Sequence, residues 1–357
     1  MKKYLILAAS LSVLGFASAQ AQVFPSTAGN NSARITQTGN NNDARINQAV
    51  GGVINGQSEA EIIQNGNRNT AVITQTSATS PFNSTFADSA IIDQRRARGD
   101  ATINQIHDYN TQRVNNATIV QITPDAIASI RQRGDRNTGV IRQLNTSVTP
   151  IAHLQQNGRI NTARIRQPGI NGNVTVRQGT YVAGPGASPQ MLNGLVELDN
   201  NGVNASIFVS QLGTTHTAFV FEEGTNGLIN ITMDGAANNV NVLQQSQNGV
   251  IDINSTGTSF SNFASVTQGF SDNGSVARVN QSGSYGDSDI EQLGGTGGLG
   301  GNLADVDQSG TGLGTGSIYS TILQNGSSNT ALVNQSSAYA QSDIFQLGSG
   351  HLANVTQ

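Results

Sequence analysis

Cysteine is absent from this chain, and so is tryptophan. Without cysteine no disulfide can staple the fold, and no thiolate can act as nucleophile or metal ligand. Aromatic residues make up 5% of the 357 residues and charged residues 11%. That is too little large apolar surface for an ordinary enzyme core and too little charge for a solvated disordered tail. Lysine occurs only at Lys2 and Lys3. After residues 4–16 no apolar run approaches the ~20 residues that a membrane-spanning helix needs, so no membrane insertion is expected. A polar, weakly charged chain of this kind either stays unfolded or is held by backbone pairing and stacked amides.

The first residues read as an export signal. Lys2 and Lys3 form a basic start, residues 4–16 an apolar stretch, and Ala17-Ser18-Ala19 and Ala19-Gln20-Ala21 two small-x-small cleavage sites. Residues 1–21 are therefore expected to leave as a signal peptide, cut after Ala19 or Ala21, and the chain is expected to be secreted.

What the sequence has in abundance is a repeat, Gln-x-Gly-x-x-Asn-x-Ala-x-(Ile/Val)-x-Gln. One copy carries Gln37, Gly39, Asn42, Ala44, Ile46 and Gln48, and the next Gln64, Gly66, Asn69, Ala71, Ile73 and Gln75. Others carry Gln132, Gly134, Asn137, Ile141 and Gln143, then Gln156, Gly158, Asn161, Ala163, Ile165 and Gln167. Near the other end stand Gln324, Gly326, Asn329 and Gln335, followed by Gln346, Gly348, His351 and Gln357. Degenerate copies run from Gln94 to Gln105, Gln167 to Gln178 and Gln281 to Gln292. In the centre Gln211, Glu222, Met233 and Gln244 keep the same spacing.

Within Asn161-x-Ala163-x-Ile165-x-Gln167 the marked residues alternate, which is the period of a strand. They share one face; Thr162, Arg164 and Arg166 take the other. The glycine and the residues after it make the turn. Turn residues recurring about every eleven positions leave no room for a helix of normal length. The expected fold is all-β: strand–turn–strand rungs stacked ~4.8 Å apart into a β-solenoid with amyloid-like cross-β stacking. Ile and Val then pack on their own copies, and Gln and Asn amides bond along the axis. The expected structural ladder is Gln37, Asn42, Gln48, Gln64, Asn69, Gln75, Gln132, Asn137, Gln143, Gln156, Asn161, Gln167, Gln324, Asn329, Gln335, Gln346 and Gln357. The turn glycines are Gly39, Gly66, Gly134, Gly158, Gly326 and Gly348.

Residues 179–200, with Pro185 and Pro189, break the frame and read as a loop or hinge. Residues 294–301 read as a glycine-rich extended turn. This divides the exported chain into an Arg-rich repeat block at 22–178, the interruption at 179–200, and an acidic block at 201–357. That last block is degenerate to about 261 and regular over 262–357. Residues 22–178 hold 15 Arg and 9 acids, whereas from 179 onward there are 13 acids and only Arg278. The opposition of charge favours head-to-tail addition of one subunit to the next; solvating charges that prevent lateral clumping are the plainer reading. Arg131, Arg133, Arg136, Arg142, Arg164 and Arg166 could also grip anionic polysaccharide or extracellular DNA, although no aromatics are interleaved for base stacking.

No catalytic, metal-binding or cofactor-binding residue is expected. His107, His153, His216 and His351 are scattered without metal spacing. Asp287 and Asp289 could touch a cation, but the calcium repeat of nonapeptide solenoids is missing. Residues 294–298 lack the Lys of a phosphate loop, no Ser sits in a nucleophile elbow, and Glu222 and Glu223 would face opposite ways on a strand. A polysaccharide lyase solenoid would need clustered Asp, Lys and Arg, and an ice-binding face a flat Thr array; the outward positions here are mixed.

The repeat resembles that of the curlins, the subunits of curli fibres. Ser32-x-x-Ile35-x-Gln37-x-Gly39-x-x-Asn42-x-Ala44-x-x-x-Gln48 approaches the curlin repeat, and so does Ser129-Ile130-x-Gln132-x-Gly134-x-x-Asn137. The likeness covers 31–178 and 262–357 and is weak over 179–261. It implies a Gram-negative bacterium, export through a dedicated outer-membrane pore, a partner nucleator, and self-assembly into a cell-surface amyloid fibre for adhesion and biofilm matrix. The chain is longer than a minimal curlin, and its spacers vary, which leaves major subunit and nucleator both open. The alternative function is a monomeric secreted solenoid adhesin that binds carbohydrate or another surface. Gln357 closes a repeat with no capping residues after it, which favours an open, templating edge.

Overall fold

In a computed structural model of the full chain, the described residues are 11–14, 20–24, 32–50, 58–77, 88–107, 114–143, 149–168, 170–179, 194–200, 203–223, 226–245, 248–255, 262–269, 274–282, 285–294, 300–309, 318–337 and 339–357. Among them there are strands and turns and no helix. The chain divides into two compact units, Met1–Pro168 with Gly179–Gln190, and Gly169–Gln178 with Met191–Gln357.

Each unit is a parallel β-solenoid built from two stacks of strands. In the first unit the leading stack runs Leu11–Leu14, Ser32–Thr38, Glu59–Asn65, Ser89–Gln94, Asn116–Gln121, Thr138–Gln143, Thr162–Ile165. The following stack runs Gln20–Phe24, Asp43–Val50, Thr70–Ser77, Asp100–His107, Ile127–Asp135, Ile151–Arg159. One leading and one following strand make a rung. The second unit repeats the plan. Its two 17-residue strands, Ser206–Glu222 and Leu228–Gln244, pass through a bend and contribute to both stacks.

Alternation is what makes these strands. In Ser32–Thr38 the residues Ala33, Ile35 and Gln37 point inward while their neighbours face solvent. Registers are exact copies: Ala44 lies on Ala71, Ile46 on Ile73 and Gln48 on Gln75. Each strand thus buries one small and one large apolar side chain plus one amide. A buried Ile contributes about 1.5–3 kcal/mol, so the apolar core per rung is thin, and the amide must be bonded rather than merely tolerated.

Two segments differ from the sequence reading. Leu195–Asn200, inside the expected interruption, is a strand with Val196, Leu198 and Asn200 buried; it pairs with Thr217–Glu222. Its period-two pattern survives because Asn replaces the usual Gln. Residues 180–193, with both prolines, lie outside the described residues. The expected leader also contributes strands: Leu11–Leu14 pairs with Ile35–Thr38, and Gln20–Phe24 with Asp43–Asn47. There Ala21 and Val23 take the register places of Ala44 and Ile46.

Candidate functional site

The interior of each unit is lined by amide ladders. In the leading stack Gln37 Nε2 donates to Gln64 Oε1 at 2.7 Å, Gln64 to Gln94 at 2.9 Å, Gln94 to Gln121 at 2.8 Å, and Gln121 to Gln143 at 3.0 Å. A longer 3.5 Å step reaches Gln167. In the following stack Gln48, Gln75, Gln105, Gln132 and Gln156 are joined at 2.8–2.9 Å. The second unit carries Gln268 to Gln292, Gln324 and Gln346, and Gln281 to Gln308, Gln335 and Gln357. All these ladders have one polarity: the lower-numbered glutamine donates its Nε2–H and the higher-numbered one accepts. The same amides also donate to backbone carbonyls, as Gln48 does to Ser32 and Ser58.

The asparagines bond the turns of neighbouring rungs. Asn42 Oδ1 accepts the Asn69 N–H at 3.0 Å while its Nδ2 donates to the Gly66 carbonyl at 2.9 Å. Asn69, Asn137 and Asn329 accept the corresponding N–H groups of Gly99, Asn161 and His351. His351 sits in the asparagine place, its Nε2 2.9 Å from the Leu347 carbonyl oxygen. The turn glycines are demanded twice over. Gly39 and Gly326 have φ of 109° and 133°, and a Cβ on either would collide with the carbonyl of Gly66 or Gly348 in the next rung.

Every ladder residue and turn glycine read from the sequence therefore stands in a stack. Sequence reasoning left out of that set Gln94, Gln105, Gln121, Gln178, Gln211, Gln268, Gln281, Gln292 and Gln308, and the turn groups Asp88, Asn115, Asn262, Ser275 and Asn302. All of these are buried. The alternation Ala-x-(Ile/Val)-x-Gln marks most of the glutamines. Gln308 lies sixteen residues beyond Gln292, where a longer turn hides the eleven-residue frame.

The centre departs from the ladder. Asn200, Glu222, Met233 and Ser255 occupy glutamine places. Glu222 is fully buried and accepts from Gln244 Nε2 at 3.5 Å, whereas Glu223 is exposed. A carboxylate only accepts, so here the donation runs against the common polarity. His216, also fully buried, lies in register with Asn238.

Ion pairs join neighbouring rungs: Arg34 with Glu61 at 3.3 Å and Arg98 with Asp125 at 2.7 Å on the outside, and Arg159 with the buried Asp135 at 3.0 Å. Asp287 and Asp289 share an outer face. Burial, then Asp289, pushes the Asp287 carboxyl above its ordinary range. Burial also pushes Asp305 up; Arg278 opposes the shift and Asp307 adds to it. No group of three or more His, Cys, Asp or Glu gathers to hold a metal among the described residues. A shallow groove of about 330 Å³ runs along the turns of Asn40, Asn41, Asn67, Arg68 and Arg98.

The rung of Gln341–Ser349 and Leu352–Thr356 has paired strands on one side only among the described residues. Phe345, Leu347 and Leu352 face outward there and are exposed, while the inward Ile344 and Gln346 are 7% and 5% exposed against 0% for Ile322 and Gln324 one rung further in. What the fold and its interior define is, in each unit, a parallel β-solenoid lined by amide ladders. No protein-family model matches the chain, and no curated protein matches it.

Proposed function

We propose that the protein is a structural, non-enzymatic subunit of an extracellular, curli-like cross-β fibre, growing by strand addition at its open rung. The observation that carries this reading is the uncovered edge of Gln341–Ser349 and Leu352–Thr356, which presents backbone groups and amide donors in the geometry its own rungs use. Such an edge is a template for another chain of matching register. The repeated Gln, Asn and Gly places that resemble the curlin repeat support secretion from a Gram-negative cell, an outer-membrane pore and a nucleator as partners, and roles in adhesion and biofilm matrix. The processed chain, incubated alone, is expected to form dye-binding fibrils by electron microscopy after a lag that preformed seeds abolish. A soluble, dye-negative monomer would overturn the reading in favour of a secreted adhesin. The Asn- and Arg-lined groove of Asn40, Asn67, Arg68 and Arg98 favours anionic polysaccharide or extracellular DNA as what the outer wall of either form would hold.

A further inference from the structure

Resting on that reading, we infer the register of the joint between subunits: the Gln341–Gln357 rung of one copy stacks on the Ser32–Gln48 rung of the next, leading strand on leading strand. Four observations converge on it.

The two rungs have the same length. Gln346 and Gln357 are spaced as Gln37 and Gln48 are, with no insertion in the turn. Superposing the glutamines brings Ile344 onto Ile35, Ala353 onto Ala44, and Val355 onto Ile46.

The turns also match. Gly348 falls on Gly39, with φ of 112° and 109°, and Gly350 falls on Asn41, both with positive φ. This is the same close approach of glycine to carbonyl that joins Gly39 to Gly66 and Gly326 to Gly348 within the subunit. A side chain at Gly348 would hold the joint open, whereas one at Gly39 would meet the Gly66 carbonyl within its own subunit.

The ladder polarity selects orientation. Because each glutamine donates to the one of higher number, the Gln341–Gln357 edge offers Nε2–H donors at Gln346 and Gln357, and the Ser32–Gln48 edge offers the acceptor side. Head-to-tail stacking continues both ladders. Two Gln341–Gln357 edges face to face would set donors against donors.

The glycine turn then fixes which stack meets which. Each half rung carries a similar Ala-x-aliphatic-x-Gln pattern, so a half-turn rotation would also bury Ile344 and Val355. In the inferred register the exposed Asp343 falls on the exposed Arg34. This extends the column Arg34–Glu61 into an acid–base–acid alternation and repeats the device seen at Arg98–Asp125 and Arg159–Asp135. The rotated register would also set Asp343 on an arginine, Arg45, but it would lay Gly348 on Val50 instead of Gly39 and so lose the match of the glycine turns. In the unprocessed chain, Leu11–Leu14 and Gln20–Phe24 pair with Ser32–Thr38 and Asp43–Val50; loss of residues 1–21 uncovers Ser32–Thr38, and the joint further requires Gln22–Phe24 to leave Arg45–Asn47.

The absence of native cysteine gives a clean test. Stacked parallel neighbours lie about 4.8 Å apart, inside the Cα separation a disulfide spans. Fibres of the processed Arg34→Cys/Asp343→Cys chain, oxidised after assembly, should run as a ladder of multimers on a non-reducing gel. The Arg45→Cys/Asp343→Cys chain should stay monomeric on the same gel. Fibres that cross-link equally through residues 45 and 34, or only through 45, would overturn the register while leaving the fibre reading intact. Failure of the unsubstituted chain to form fibres in the same experiment would overturn both. A third chain, Thr36→Cys/Phe345→Cys, occupies the neighbouring outward place in the same stack; its cross-linking is expected, and its absence beside a positive 34/343 pair would also count against the register.

Discussion

Gln132 is buried completely, accepts from Gln105 at 2.9 Å, and donates to Gln156 at 2.8 Å and to the Asn116 carbonyl at 2.9 Å. Removing it takes a donor from Gln156 Oε1 and from the Asn116 carbonyl and leaves a void, and a buried acceptor that loses its donor costs about 1–3 kcal/mol beyond the lost packing. Gln132→Ala is therefore expected to lower stability by about 2–4 kcal/mol, read as a shift in the urea midpoint. Gln357→Ala, at an exposed place with a 3.3 Å bond, should change it by less than about 0.5 kcal/mol. Equal losses at the two positions would show that the ladder is not what holds the rungs. Glutamine suits this place because one terminal amide carries donor and acceptor together. That is also why Glu222 breaks the polarity where it stands.

A strand is the scale at which the outer carboxylates act. Asp287 lies on the strand Gly286–Gly294 and Asp305 on Leu303–Gln308. Both have carboxyl pKa values raised by burial, with Asp289 adding to the first, and Asp307 adding to and Arg278 opposing the second. A raised carboxyl favours the protonated folded state. Its contribution is full below the unfolded carboxylate range and is lost as pH rises through the folded value. The Asp287→Asn/Asp305→Asn chain removes the cost of ionisation at neutral pH. Its stability excess over the parent should be largest near pH 7 and shrink toward pH 4 in urea titrations. An excess that stays constant across that range would sink the assignment.

At the scale of the whole molecule, sequence opposes a basic half to an acidic one: 15 Arg against 9 acids over residues 22–178, and Arg278 against 13 acids beyond. Such opposition steers head-to-tail encounter, and salt screens it over about 8–10 Å. Seeded elongation should slow several-fold between low salt and ~0.5 M salt, measured by dye fluorescence at fixed seed number. A rate independent of salt would leave the charges as solvation alone.

The repeat places, the strand period and the thin apolar interior were legible in the sequence, because period two and identical offsets admit only a stack of strands with like on like. Ala44 on Ala71 and Gln48 on Gln75 follow directly from that spacing. Three things only the tertiary structure decided. Leu195–Asn200 joins the stack although its ladder residue is Asn, because burial of Val196 and Leu198 outweighs the missing Gln signal. Turns of different length, as between Gln292 and Gln308, still close on the same registers, because like-on-like pairing of the flanking strands sets the register whatever the number of residues between them. And the ladders acquired a direction, since an amide can face either way until its neighbour above and below fixes which end donates.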